Sequence, residues 1–381
     1  MRVLLVHNNY GRNAVGGERN VLEAERRGLT DAGYQVETFM VTNHDNIFKV
    51  VVGVLFFYFN PFSFISFYNC LRRGHYDIVH VHNYWYQLSP SILFAAKIHG
   101  VPIVKTIHNF RFLCGNSLFY RNSRPCESCL DGKHFRGVVK NCSQNRGKSV
   151  LAYLFIKLHL WFAFYEDKIS AFIVLNNFSK SKLVSAGISE DKIYVKGNFS
   201  PFSPKNRIRS YEHALFVGRL TEEKGILDLL KYWRNVKYPL VVVGLDIHDL
   251  SRDNQNPYVE FVGLKTRDEV QNYFNSASFL VAPSRWYEGF PLSIIEAMSQ
   301  SVPVLSTNLG ARGELIRDGV NGFLYDLDDE YGFREKLNLM LSNEGLLSSM
   351  GERAHETVQR KFNMKDNIQE LLVIYNSVLK A

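Results

Sequence analysis

The chain is 381 residues long, 46% hydrophobic and 22% charged, with 45 Lys+Arg against 37 Asp+Glu for a net charge of +8. That length holds two or three packed domains with ample apolar residues for their cores, and with only five cysteines it excludes a disordered scaffold, a collagen-like rod and a disulfide-stapled mini-protein. The opening Met1-Arg2-Val3-Leu4-Leu5-Val6-His7 lacks the regions of a signal peptide, so the chain is expected to be intracellular.

The first half begins with the apolar run Val3 to Val6, then His7-Asn8-Asn9-Tyr10 and the pair Gly16-Gly17, which leads a helix-like stretch from Glu18 to Ala32. Further short runs lie at Gln35 to Met40, Asp77 to Val81 and Val101 to Ile107. Short β-branched runs alternating with helical stretches predict βαβ units and a parallel sheet. Between them, Val50 to Tyr68 is nineteen residues without a charge, broken by Asn60-Pro61. Its length matches a membrane span, but the break and the flanking strands favour an interfacial contact, with a buried core helix as the alternative. Val150 to Tyr165 is a second apolar helix candidate.

Lys105 to Lys148 carries nine Lys/Arg and two acids, a net of +7, so the rest of the chain is almost neutral. Four of the five cysteines fall in the same stretch: Cys114, Cys126, Cys129 and Cys142. The x11-x2-x12 spacing suits a structural Cys₄ zinc site folding an insertion over 109–148, with reduced thiols or reversible disulfides as alternatives. Basic loop and aromatics together predict peripheral contact with an anionic inner-leaflet surface.

Lys196 to Arg209, with Gly197, Pro201 and Pro204, reads as a linker. The second half restarts at Ala214 and continues through runs at Leu240 to Gly244, Val259 to Gly263, Phe279 to Ala282 and Val302 to Ser306. Gly218-Arg219-Leu220-Thr221-Glu222-Glu223-Lys224-Gly225 follows the first of these runs and opens a helix. Its backbone amides, with Arg219 and Lys224, suit a diphosphate. In Pro283-Ser-Arg-Trp-Tyr-Glu288-Gly289-Phe290-Pro291-Leu292-Ser-Ile-Ile-Glu296, two carboxylates stand eight positions apart around a helix that Pro291 can start. They can hold different hydroxyls of a sugar nucleotide, with the backbone N–H groups of Gly289 and Phe290 beside them. The plainer reading makes Glu288 a helix cap and Glu296 a solvated residue. The pair Asp326/Asp328 lies in a polar turn and reads as loop chemistry rather than a metal site.

Gly-Arg-Leu with Glu223-Lys224-Gly225, then Glu288-Gly-Phe-Pro-Leu-Ser-Ile-Ile-Glu296-Ala-Met, Val302-Pro-Val304 and Glu314 to Leu324, resembles the retaining glycosyltransferases of family 4 (glycosyl transferases group 1). The resemblance covers nearly the whole chain and implies an α/β GT-B fold of two Rossmann-like domains facing a cleft. Residues 1–198 would form the acceptor-side domain and 199–364 the nucleotide-sugar domain, with a helix over 365–381 packing back on the first. The resemblance assigns donor-sugar hydroxyls to Glu288, the ribose to Glu296 and the diphosphate to Arg219 and Lys224. Gly16 and Gly17 match the glycine loop near the pyrophosphate, Gly289 to Leu292 the donor loop, and His108 the active-site histidine, here followed by Asn109.

The implied activity is retaining transfer of a hexose from a UDP- or GDP-linked donor to a polysaccharide or lipid-linked acceptor at the inner membrane face, in lipopolysaccharide or capsule synthesis. Front-side attack lets the leaving diphosphate take the acceptor proton, so no metal is required for catalysis. An epimerase or glycoside phosphorylase on the same fold is the alternative. A nucleic-acid-binding protein is the remote one, disfavoured because the Glu pair would have no role in it.

Overall fold

The computed structural model describes residues 1–9, 17–43, 53–161, 168–200, 202, 211–246 and 249–380. They form two compact units, the first comprising Met1–Ser117, Glu127–Asn198 and Met364–Ala381, the second Leu118–Cys126 and Phe199–Asn363.

In the first unit, strands β1 (Arg2–Asn9), β2 (Gln35–Thr42), β3 (Ile78–Asn83), β4 (Ile103–Ile107), β7 (Ala171–Val174) and β8 (Ile193–Val195) make one sheet in the order β2-β1-β3-β4-β7-β8. All its pairings are parallel. The crossovers include helices α1 (Gly17–Asp31), α2 (Pro61–Gly74), α3 (Ser91–Ile98), α4 (Arg136–Val139), α5 (Arg146–Trp161) and α6 (Asn177–Ser185). Helix α2 starts as its sequence dictates: Asn60 accepts from the Phe62 and Ser63 amides, and Pro61 occupies the first turn, where its missing N–H costs nothing. The core joins Val3, Leu5, Leu22 and Leu29 to Ile368, Leu371, Leu372 and Tyr375 of the last helix, so the C-terminal residues complete this unit. Each such buried side chain contributes about 1.5–3 kcal/mol.

The second unit holds β9 (His213–Val217), β10 (Leu240–Val243), β11 (Val259–Gly263), β12 (Ala277–Ala282), β13 (Val304–Thr307) and β14 (Gly322–Tyr325) in the order β11-β10-β9-β12-β13-β14, again all parallel. Its helices are α7 (Ile226–Trp233), α8 (Leu250–Asp253), α9 (Arg267–Ser276), α10 (Leu292–Ser299), α11 (Arg312–Leu315), α12 (Glu330–Ser342) and α13 (Glu344–Lys361); α14 (Met364–Lys380) returns to the first unit. Apolar clusters cover both faces of this sheet, which explains strands such as Leu240–Val243 that are buried throughout. A short antiparallel hairpin, β5 (Tyr120–Arg121) with β6 (Arg124–Pro125), also belongs to this unit.

The linker expected over Lys196 to Arg209 begins too early: Lys196 is buried and bonded to Glu25 at 2.9 Å. Residues 201 and 203–210 lie outside the described residues.

Candidate active site

In an open parallel sheet, ligands sit beyond the carboxyl ends of the strands where the strand order reverses. In the second sheet that point lies between β9 and β12, and the two motif loops leave these strands. The Gly218–Gly225 loop does not open its helix directly: Glu222–Lys224 form a 3₁₀ turn and α7 begins at Ile226. Gly225 has φ +75°, and a Cβ there would stand 2.0 Å from the Pro283 carbonyl oxygen, so only glycine lets the two loops pack together.

That packing brings Lys224 Nζ to 2.6 Å from Glu288 Oε2, while Ser284 Oγ donates to Glu288 Oε1 at 2.5 Å and Arg312 Nη2 lies 3.6 Å away. Burial by itself raises the Glu288 pKa, but Lys224, Arg312 and Ser284 outweigh it and hold the carboxyl at about 2. Glu288 is thus a buried carboxylate fixed in its charged form and does not cap the helix; Pro291 takes the N-cap position of α10 and precedes its first residue. Arg312 is the residue the motifs did not reveal. It donates to the carbonyls of Ser284 at 2.9 Å and Trp286 at 3.1 Å, fixing the loop that presents Glu288.

Glu296 lies inside α10 and is half-buried. Burial pushes its pKa up to about 7, against a lowering by Arg267. Arg219 is mostly exposed and reaches Glu223 at 3.1 Å. Gly289 and Phe290 are half-buried in the loop before Pro291 and Leu292. Asp328 is an anchor: Arg285 Nη2 lies 2.5 Å and Arg124 Nη2 3.3 Å from its carboxylate, and Arg285 Nε donates to the Ser123 carbonyl at 2.9 Å.

In the first unit His108 stands at the end of β4, half-buried. Its Nε2 is 3.0 Å from Nδ1 of His82, a buried residue of β3. Burial, then the neighbouring His82 and Lys105, hold the His108 pKa well below the usual range, so the ring is neutral. Asn109 donates to Glu18 at 3.1 Å. Beside His108 a recess is lined by aromatic Tyr84, Trp85, Phe112 and Phe155 and by basic Lys105 and Arg111. Lys105 donates to the His82 and Thr106 carbonyls at 2.7 and 3.0 Å, and burial lowers its pKa to about 7. The alternation Ile78-Val-His80-Val-His82 was the signal for this cluster, because period 2 puts both histidines on one face.

Gly17 begins α1, and Gly16 lies outside the described residues. Cys114 and Cys129 are buried, Cys126 and Cys142 half-buried. Among the described residues the His/Cys/Asp/Glu group with ligand atoms close enough for one metal ion is Glu25, His80 and His82. None of the described helices is long and apolar enough to cross a membrane. Of the uncharged stretch, 50–52 lie outside the described residues; in the remainder Phe67 is buried, while Leu55, Phe62 and Ile65 are 69, 68 and 56% exposed.

The family Glycosyltransferase Family 4 matches residues 15–199 and Glycosyl transferases group 1 matches 201–357, so the two together span most of the chain. A capsular polysaccharide biosynthesis glycosyltransferase of Staphylococcus aureus, CapM, is 28% identical over 59% of this chain and 68% of its own length. The UDP-Gal:α-D-GlcNAc-diphosphoundecaprenol α-1,3-galactosyltransferase of Escherichia coli is 25% identical over 82% of this chain and 78% of its own. Anabaena HepE, solved in complex with UDP-glucose, shares the fold with a TM-score of 0.69 at 16% identity, over 99% of this chain and 100% of that one. The chain belongs to the group 1 glycosyltransferases of family 4, has the two-domain α/β GT-B fold and is a transferase.

Proposed function

We propose that this glycosyltransferase moves a hexose from a nucleoside diphosphate sugar to a lipid-linked saccharide at the inner face of the cytoplasmic membrane, with retention of anomeric configuration. The observation that carries the reading is the Lys224–Glu288–Arg312 constellation, a permanently ionised carboxylate at the switch point with a cation 2.6 Å away. Such a carboxylate accepts from sugar hydroxyls by strong charge-assisted bonds. Lys224 and Arg219 supply positive charge for the departing diphosphate, so positioning and electrostatics carry the step. Glu296 receives the ribose hydroxyls. Front-side attack lets the leaving phosphate accept the acceptor's proton.

The aromatic recess beside His108 receives the acceptor's reacting end, since flat rings cover sugar faces and Arg111 suits a diphosphate link. A lipid-linked acceptor is supported by the E. coli relative's name, and capsule synthesis by the S. aureus one. Lys224→Ala and Arg219→Ala should each lower kcat at least 100-fold with folding intact; near-normal turnover of both purified variants would remove the phosphate assignment.

The four clustered cysteines are proposed as ligands of a structural zinc, on the strength of their spacing. Elemental analysis of tag-free protein purified without chelator should give about one zinc per chain; a content near zero sinks the idea.

A further inference from the structure

The β5–β6 hairpin of the basic segment lies within Leu118–Cys126, which belong to the second unit. Its two-residue turn is made by Asn122 and Ser123, with φ of +50° and +60°. Such a turn needs left-handed backbone at both positions and favours glycine at the second. Ser123 stands there instead, and both of its polar groups are used. The hydroxyl donates to the Glu222 carboxylate, and the carbonyl accepts from Arg285 Nε at 2.9 Å. These two partners lie in the loops that carry Lys224 and Glu288.

Each residue of the Glu222–Lys224 turn is held by a different residue. Glu222 accepts from Ser123, the Glu223 carbonyl accepts from the Arg285 backbone N–H at 2.8 Å, and Lys224 Nζ donates to Glu288 at 2.6 Å. Arg285, three positions before Glu288, is the hub. It is buried, and besides Ser123 its guanidinium bonds Asp228 of α7 and, at 2.5 Å, Asp328. Asp328 also accepts from Arg124 of the hairpin at 3.3 Å. A planar guanidinium with five N–H donors can serve these three partners at once, whereas an ammonium on a flexible stem cannot reproduce the fork.

We propose that Ser123 and Arg285 are positioning residues of the donor site: the hairpin and Arg285 clamp the Glu222–Lys224 turn to the loop of Glu288 and so hold Lys224 where it meets the donor diphosphate. The basic segment thereby contributes a strap to the donor site. The inference rests on Lys224 serving the diphosphate, as proposed above.

Isothermal titration of the full chain with UDP and with GDP tests it. Ser123→Gly removes the hydroxyl but gives the turn the residue that it favours, so stability and binding should separate. Tm should stay within about 2 °C of wild type, while Kd for the nucleotide that wild type binds rises about 5- to 10-fold. In a Lys224→Ala background, where the positioned group is gone, the same substitution should change Kd less than about twofold. Arg285→Lys keeps a charge but not the fork, and should weaken binding at least as much as Ser123→Gly. An unchanged Kd in folded Ser123→Gly or folded Arg285→Lys overturns the proposal. So does an equal loss from Ser123→Gly with and without Lys224, which would mean general loosening. Wild type that binds neither nucleotide, or Lys224→Ala that binds as tightly as wild type, contradicts the phosphate assignment itself and takes the proposal with it.

Discussion

Glu288 and Glu296 carry opposite electrostatics although one short motif contains both. Glu288 is offset by two cations and a hydroxyl and stays charged; burial outweighs the help Glu296 receives from Arg267 and pushes it up to about 7. A carboxyl whose folded pKa exceeds its unfolded value binds more protons in the native state, so it costs stability increasingly as pH rises from about 4.5 to 7. Glu296→Gln should therefore raise Tm more at pH 8 than at pH 5; an equal shift at both would mean that burial does not govern this group. The Glu-x7-Glu spacing was legible in the sequence. What separates the two carboxyls was not, because Ser284, Lys224 and Arg312 converge on Glu288 from different loops.

The strands and helices that place these groups were largely readable where apolar runs are long. β2, β10, β11 and β12 fall within two residues of their expected runs, and β1 extends three residues past Val6 to Asn9. β3 runs Ile78–Asn83 against an expected Asp77 to Val81, and what stayed unread there is that its two buried histidines belong to a polar network; β8, at three residues, is too short to display a period. The uncharged stretch resolves into a helix with two characters. In α2, Phe67 and Leu71 pack inward while Phe62 and Ile65 face solvent, and Arg72 and Arg73 close the last turn. An exposed apolar face near cations suits an anionic lipid surface. The double variant Phe62→Ser/Ile65→Ser should cut the fraction sedimenting with anionic vesicles severalfold without lowering Tm; unchanged sedimentation would exclude this helix as the contact.

At the scale of the whole molecule, the chain uses the same architecture twice, a six-stranded parallel sheet whose strand-end loops carry the polar residues. The net charge of +8 is concentrated in the 105–148 stretch, and that stretch divides between the units: Leu118–Cys126 belong to the second, tied down by Arg285 on Ser123 and by Arg124 on Asp328, while its flanks belong to the first. No local pattern could reveal this, because Arg285 is more than 160 residues from its partner.

The reaction proposed for this chain is retaining transfer from a nucleoside diphosphate sugar onto a lipid-linked saccharide. It is tested most directly by incubating the purified chain with UDP- and GDP-hexoses and a short-chain diphosphate-linked saccharide, then recording the anomeric proton of the product by NMR. Acceptor-dependent release of nucleoside diphosphate from one donor is expected, with a product of the donor's anomeric configuration. Release without acceptor, or a product of inverted configuration, would contradict it.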